Sequence, residues 1–508
     1  LVRKIFSNTA WQIFGKVVTA ALGIISIKLI TNYLSRSTYG EYTTIYDYTA
    51  LFAIVADFGL FTIAVREMAH NNKKEMVEKI VGNVLSLRTF LAVVSLGLGV
   101  VVAVILPAYH GSHIPYGVLI VSIATVITLI AGTMSSVLQF FLRMQWASIS
   151  LIVGKIITVA YIVVTILYVF PNNPEAGFPH LLLAWIFGGL ATIIITYVAT
   201  SSLAHIRYQF DFSFWKTVLI KALPYGLALV LGSIYFRMGT ITLSLLNMKD
   251  QVGYYGVPIR FLEILQIAPH YFMNSVLPIL TMSLAISIER SARIIRYALS
   301  ALFALALPLF AGGYLLAWPL TAAVSSPDFL THRTATGVLI PGSDIALKIL
   351  LAAMIFTYLH VAMSYALVAM GKQTELLWIN AVAVAVNVIA NFVLVSKFGF
   401  IGAAMSAVAA EITVCVLAAW RLRKRIRSIW DFAFIGKTFV ATIMMSLVLW
   451  LTTDRLNALL FTKSLFILVP LGGTVFIFGM FLTRAVSKEM FQLLRKTEPA
   501  ESSETLGL

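Results

Sequence analysis

At 508 residues, 60% hydrophobic and only 11% charged, the chain is excluded from the water-soluble enzymes, where charged side chains make up about a quarter of the total. Lys and Arg number 37 against 21 Asp and Glu, a formal net charge of +16. In a soluble protein that excess would suggest nucleic acid; in a membrane protein it marks the cytoplasmic side, and no nucleic-acid partner is expected.

A spanning helix needs about 20 apolar residues, and runs of that kind predict fourteen spans. They lie at 9–33, 42–66, 86–107, 115–139, 149–170, 181–200, 218–247, 254–286, 298–324, 346–370, 376–396, 400–420, 433–453 and 464–483. The first is read as retained rather than cleaved, because about 25 residues carrying Lys16 and Lys28 do not make an ordinary signal-peptide core. Fourteen is even, so both termini share a side. The termini and the connections on their side hold twenty-six Lys and Arg, with Arg143 and Lys155 counted between the fourth and fifth spans, and the opposite side holds seven. Cytoplasmic loops carry the basic excess, so both ends are expected in the cytoplasm of a plasma (inner) membrane.

No useful length of strand alternation occurs, which predicts an all-α integral membrane protein with every backbone group satisfied inside its helix. Proline interrupts the seventh to ninth spans, at Pro224, Pro258, Pro269, Pro278, Pro308 and Pro319, and broken helices of this kind border the sites of transporters. On the outer side only 325–345 approaches 20 residues. The basic run Arg421, Arg423, Lys424, Arg425 and Arg427 suits anionic lipid headgroups. The single cysteine, Cys415, lies in an apolar run and excludes an intrachain disulfide framework.

An internal echo links the halves. Tyr39-Gly40-Glu41-Tyr42 opens the second span and Val252-Gly253-Tyr254-Tyr255 the eighth, an offset of 213 residues (253 minus 40) and six spans. Parallel repeats of this kind form two lobes related by an axis along the membrane normal. The expected plan is a six-helix lobe at 1–205, a second at 206–428, a cavity between them, two added helices within 429–485 and a polar cytoplasmic tail at 486–508.

Seven charges fall well inside the predicted spans: Lys16, Lys28, Asp57, Arg237, Arg260, Glu263 and Glu411. At about 2.5–3.5 kcal/mol each in lipid, they are expected to face an interior or to snorkel. The four cations suit an anionic headgroup crossing between lobes, since guanidinium and ammonium groups both bind phosphate. Asp57, Glu263 and Glu411 are candidates for ion coupling or charge balance. Arg260 and Glu263, three apart on one helical face, also suit a local ion pair.

Enzyme signatures are missing. Gly371-Lys372-Gln373-Thr374 lacks the pattern of a phosphate loop, and no nucleophile elbow or paired-cysteine site occurs. His110 and His113 are close in an outer loop, but the sequence places no carboxylate or thiol beside them. Neither an enzyme, a cofactor nor a metal is expected.

Three stretches resemble a known family. They are 38–69, TYGEYTTIYDYTALFAIVADFGLFTIAVREMA; 222–280, containing ALPYGLALVLGSIYFRMGTITLSLL and VGYYGVPIRFLEILQIAPHYFMNSVLPIL; and 370–411, MGKQTELLWINAVAVAVNVIANFVLVSKFGFIGAAMSAVAAE. Together they are similar to the oligosaccharide flippases of polysaccharide biosynthesis (Wzx-like), within the multidrug, oligosaccharidyl-lipid and polysaccharide exporter superfamily. The resemblance implies alternating access and a polyprenyl-diphosphate-linked oligosaccharide moved from the cytoplasmic to the outer leaflet. Membrane lipids would surround the chain, and a glycan polymerase or glycosyltransferases are implied as further partners. It also implies that Arg237 and Arg260 point basic groups toward the cavity, and that Lys16 and Lys28 correspond to basic residues on the first helix of lipid II flippases. Where the family often has Asp, this chain has Gly239, which weakens an ion-coupling role there. Coupling to a proton or sodium gradient, or to the membrane potential, is the expected energy source. A cation-coupled multidrug exporter and a lipid II flippase are the alternatives on the same fold. A membrane glycosyltransferase or polymerase is the rival from another class, with Asp328 and Asp344 as the acids of the only long outer loop.

Overall fold

The computed structural model describes residues 2–70, 73–284, 286–426 and 429–485. The predicted tail and Arg427 of the basic run lie outside the described residues. The described residues are mostly helical, in the order α1 (Val2–Tyr33), α2 (Arg36–Asp57), α3 (Leu60–His70), α4 (Lys74–Ile105), α5 (Ile114–Phe140), α6 (Met144–Val164), α7 (Pro174–Ser201) and α8 (Phe212–Leu245). The order continues through α9 (Lys249–Leu265), α10 (Ile267–Leu284), α11 (Ile288–Leu315), α12 (Ala317–Val324), α13 (Ser343–Ala369), α14 (Gln373–Arg423), α15 (Phe432–Leu460) and α16 (Leu465–Leu482). One small departure from the all-helical expectation sits in the loop before α13. There β1 (His332–Arg333) and β2 (Leu339–Ile340) form a short antiparallel hairpin, pairing His332 with Ile340 and Arg333 with Leu339.

Among the described residues, 11 segments are long and apolar enough to cross a membrane. Two of them, Gln373–Arg423 and Phe432–Leu482, are 51 residues long and each bends back once, so each makes two crossings. The first turns at Gly399, whose φ of 55° and ψ of −133° suit a residue without Cβ; the second turns at Phe461 and the single 3-10 turn after it. The α9–α10 stretch is too polar and proline-broken to count among the 11, and with it the fourteen predicted crossings are accounted for. The second predicted span is broken too. Phe58 and Gly59, at φ 40° and 73°, end α2 and start α3.

Lipid exposure reads directly off the helices. On α4, Phe90, Val93, Val94, Leu98, Val101, Val104 and Ile105 are exposed, while Arg88, Ala92, Ser95, Leu96 and Ala103 are buried. Spacings of three and four residues put each set on its own face. The exposed face is the one an apolar solvent would cover.

By packing, the chain divides into two compact units. The first comprises Leu1–Leu265, Thr321–Ala353 and Gln373–Val414. Its cores are an aromatic-rich cluster around Tyr39, Ile45, Tyr48, Tyr109, Phe178 and Phe329, and an aliphatic cluster of α3, α4 and α8 around Leu60, Met68, Val81 and Trp215. The second comprises Gln266–Leu320, Met354–Lys372 and Cys415–Leu508. In it α15 and α16 pack with α11 around Met445, Leu449 and Leu468.

In the first unit, the stretch before α8 is tied to α4. The Asp211 N–H donates to Asn83 Oδ1 at 2.7 Å, its own Oδ1 caps α8 by accepting from the Phe214 N–H at 3.0 Å, and Lys79 Nζ lies 3.3 Å from Oδ2. The Phe214 N–H first, and then Lys79, hold the Asp211 carboxyl below its ordinary pKa. A depressed folded-state value means that the cap stabilises at neutral pH and that its contribution fades as pH falls below about 4. Asp211→Asn should therefore melt earlier than wild type at pH 7 and show a smaller further loss between pH 5 and pH 3; parallel pH curves for the two proteins would contradict the assignment.

The sequence echo reappears as packing. Adding 213 to 36, 40, 43 and 47 gives 249, 253, 256 and 260. A Cβ on Gly40 would strike the carbonyl oxygen of Lys249, and one on Gly253 would strike that of Arg36, the equivalent residue of the other repeat. A Cβ on Gly256 would meet its own equivalent, Thr43. Side chains follow the same rule: Arg36 donates to Tyr254 and Lys249 to Glu41, again equivalent pairs. The start of α2 therefore crosses the start of α9 about a local two-fold axis, and glycines allow the backbones to touch.

Candidate functional site

One step further along that axis the crossing reaches Asp47 and Arg260, equivalent positions carrying opposite charge. Asp47 on α2 is 1% exposed, and its Oδ1 accepts from Arg237 Nη1 of α8 at 2.5 Å and faces Arg260 Nη2 of α9 at 3.5 Å. Arg260 Nη1 lies 2.8 Å from both oxygens of Glu263, and Arg237 Nη2 lies 3.9 Å from Oε1 of the same carboxylate. Removing ions from water costs several kcal/mol each unless they are closely paired, and two guanidiniums between two carboxylates balance. The arrangement explains how these charges sit within lipid-spanning helices. Arg237 and Arg260 keep about one fifth of their side-chain surface exposed and Glu263 about one third, so one side of the cluster is open.

That side borders a cavity of about 200 Å³ within the first unit. Ala20 to Ile30 of α1 form one wall and Tyr39, Tyr42 and Tyr46 of α2 another, with Lys155 of α6, Trp185 of α7, and Arg260, Glu263 and Ile264 of α9 completing it. The aromatic side is continuous: Tyr42 and Tyr46 rings are 4.7 Å apart, Tyr46 and Trp185 5.1 Å, and Trp185 Nε1 donates to Tyr42 Oη at 3.2 Å. Lys155 Nζ lies 4.2 Å above the Trp185 ring, a cation–π contact. Among the described residues no carboxylate comes within 4.0 Å of that ammonium. Such a chamber offers flat aromatic faces and cations to a polar, anionic guest. A larger open cleft of about 740 Å³, by the α8–α9 turn and Gly399, is lined by Lys249, Asp250 and Lys397 and gathers none of the residues predicted for the site.

Of the seven charges singled out by sequence, the structure brings together Arg237, Arg260 and Glu263. Lys28 is committed elsewhere: its Nζ donates to the carbonyls of Ala322 at 3.0 Å and Ser325 at 2.7 Å, tying α1 to the end of α12. Lys16 is exposed on α1 and does not line the cavity. Asp57 pairs with Arg88 of α4, which also donates to Thr133 at 3.1 Å. Glu411, 4% exposed, accepts from Tyr235. Two members of the site were missed: Asp47, and Lys155, which the charge count assigned to a cytoplasmic connection but which lies inside α6. The repeat offset was a usable signal for Asp47, since 260 minus 213 is 47. One further expectation is corrected: His113 does have a carboxylate beside it, Glu41 Oε2 at 2.6 Å from Nδ1, supplied by α2 rather than by its own loop. Among the described residues no group of three or more His, Cys, Asp or Glu could hold a metal ion.

Comparison with known proteins follows the same lines. Residues 5–284 match a family model described as polysaccharide biosynthesis protein. No curated protein matches the chain. Among solved structures, the chain is similar to the lipid II flippase MurJ in an inward closed conformation, at 15% identity and a TM-score of 0.71 over 94% of this chain and 99% of that one. It is also similar to an inward-facing multidrug resistance MATE family transporter of the MOP superfamily, at 14% identity and a TM-score of 0.64 over 81% and 95%. A third is a MOP superfamily transporter from Pyrococcus furiosus described by the reverse polarity of its binding pocket, at 13% identity and a TM-score of 0.59 over 84% and 96%. At these identities the likeness shows a shared fold.

Proposed function

The chain belongs to the polysaccharide biosynthesis protein family, and on that premise we propose that it is a flippase for a polyprenyl-diphosphate-linked oligosaccharide. The headgroup moves from the cytoplasmic to the outer leaflet of the plasma membrane by alternating access, with both termini cytoplasmic. The observation that carries the reading is Arg260 in the wall of an aromatic cavity, with Arg237 joined to it through their shared partner Asp47, two permanently charged forks. Guanidinium forks match phosphate oxygens two at a time, and a low-dielectric wall strengthens the contact. Tyr42, Tyr46 and Trp185 offer flat faces to a sugar ring, while the polyprenyl tail stays in lipid. Lys16, exposed on α1 outside the cavity, is assigned to the headgroup's approach, and Lys28, held by the carbonyls of Ala322 and Ser325, to the tie between α1 and α12. The halves 1–205 and 206–428 are the elements that rock, about the axis marked by the α2–α9 crossing. A proton or sodium gradient, or the membrane potential, supplies direction, with Asp57, Glu263 and Glu411 as the candidate coupling or charge-balancing groups. A glycan polymerase or glycosyltransferases would supply and consume the cargo.

A multidrug exporter on this fold needs a carboxylate available to a cationic drug, and here both carboxylates of the cluster are already paired with guanidiniums. Arg237→Ala and Arg260→Ala should each abolish complementation of a flippase-deficient strain while the protein still reaches the membrane. Full activity in both variants would remove the headgroup reading, and drug resistance conferred by the wild-type chain would favour the exporter.

A further inference from the structure

Arg260 presents one Nη to both oxygens of Glu263 at 2.8 Å, which fills the donor edge that a phosphate would otherwise use. The two carboxylates of the cluster are not equivalent. Asp47 is sealed at 1% exposure behind the guanidiniums, whereas Glu263 is 32% exposed and forms part of the cavity wall. An anion entering the cavity therefore meets Glu263 first, and Asp47 continues to hold both arginines in place when Glu263 is displaced. On the facing wall Lys155 carries a positive charge whose contact is an aromatic ring.

We infer that Glu263 is the resident occupant of an anion site, that an incoming phosphate ester replaces it between Arg260 and Lys155, and that the displaced carboxylate takes up a proton. The inference rests on the flippase reading and adds to it a binding residue, Lys155, a positioning residue, Asp47, and an exchange step. Charge balance gives the step its form. Arg237, Arg260 and Lys155 against Asp47 and Glu263 leave one positive charge at rest. A diphosphate diester brings two negative charges, leaving one negative charge in a low-dielectric chamber where imbalance is costly. One proton from cavity water, added to the Glu263 carboxylate, restores neutrality; when the ester departs, the proton is released and Glu263 closes again on Arg260. The groups facing Glu263 are Arg237 from α8, Asp47 and Tyr39, Tyr42 and Tyr46 from α2, and Lys155 from α6, and the α1 wall from Ala20 to Ile30 presents Lys28 outward to its carbonyl partners.

The test is calorimetric binding of a farnesyl diphosphate sugar diester, which carries the two negative charges counted above, to the purified full-length chain at pH 7, in two buffers of different ionisation heat. Wild type should take up close to one more proton per bound probe than Glu263→Gln. Glu263→Gln should bind at least about tenfold more tightly, and Lys155→Met at least about tenfold more weakly. If Glu263→Gln binds no more tightly, or takes up as many protons as wild type, the exchange is wrong. Unchanged affinity in Lys155→Met removes that residue from the site. If wild type binds, Arg260→Gln abolishes binding and Glu263→Gln changes nothing, the flippase reading stands and only the exchange falls. If neither wild type nor Glu263→Gln binds the probe, the flippase reading falls with it.

Discussion

Replacing Asp47 by Ala is expected to lower the stability of the purified protein by about 3–5 kcal/mol, the cost of stripping one partner from a buried ion pair. Asp47 is 1% exposed and is the carboxylate that Arg237 and Arg260 share. Without it, two guanidiniums face each other with only Glu263 between them, and neither can shed its proton. Asp47→Asn keeps the shape but not the charge and should lose nearly as much. The diagnostic is the double variant Asp47→Ala with Arg237→Met: removing both members of the pair should recover part of the loss, because a desolvated pair is often worth little more than an apolar substitute. Thermal unfolding followed by tryptophan fluorescence reads both. A midpoint for Asp47→Ala within error of wild type would mean that the cluster is solvated and that its charges are screened as at a surface.

The helices were legible because lipid leaves few alternatives. A backbone without water must satisfy itself, so apolar runs translate into spans and their breaks into turns. Charges near span ends were harder, for one physical reason. The predicted second span began at residue 42, which put Asp47 near an interface, but α2 starts at Arg36, capped by Ser35, and its polar first turns are packed against α9 rather than set among headgroups. Lys155 was lost in the same way, since α6 begins at Met144 rather than 149. Hydropathy marks where a helix meets lipid, not where it begins inside protein. Lys28 failed differently. Its partners Ala322 and Ser325 lie nearly 300 residues away in sequence, and no local pattern announces a contact of that separation. Arg260 and Glu263 were paired correctly because three residues along a helix is a local relation. The Gly-x-Tyr echo was the most informative distant signal, and its offset, carried a few residues further, reaches the ion pair itself.

That echo makes a prediction that depends on symmetry rather than on any one contact. Gly40→Ala and Gly253→Ala each place a methyl against a backbone carbonyl of the other helix, Lys249 and Arg36 respectively. A carbonyl in a packed crossing cannot swing aside as a side chain can, so the helices must separate. Overpacking of this kind costs about 1–3 kcal/mol, and the two variants should lose similar amounts because their surroundings are equivalent. Gly97→Ala, on the lipid face of α4 with nothing within 4 Å of the added methyl, should lose nothing, since Ala is the better helix former. The double variant is the sharper measurement. Once one methyl has pushed α2 from α9, the other finds the gap already open, and the combined loss should fall clearly short of the sum. Separation of the helices would also pull Lys249 from Glu41 and Arg36 from Tyr254 and widen the gap above Asp47, so both single variants should transport poorly while remaining in the membrane. Additive losses, or one glycine tolerating the methyl while the other does not, would show that the crossing is not governed by a two-fold relation between the repeats.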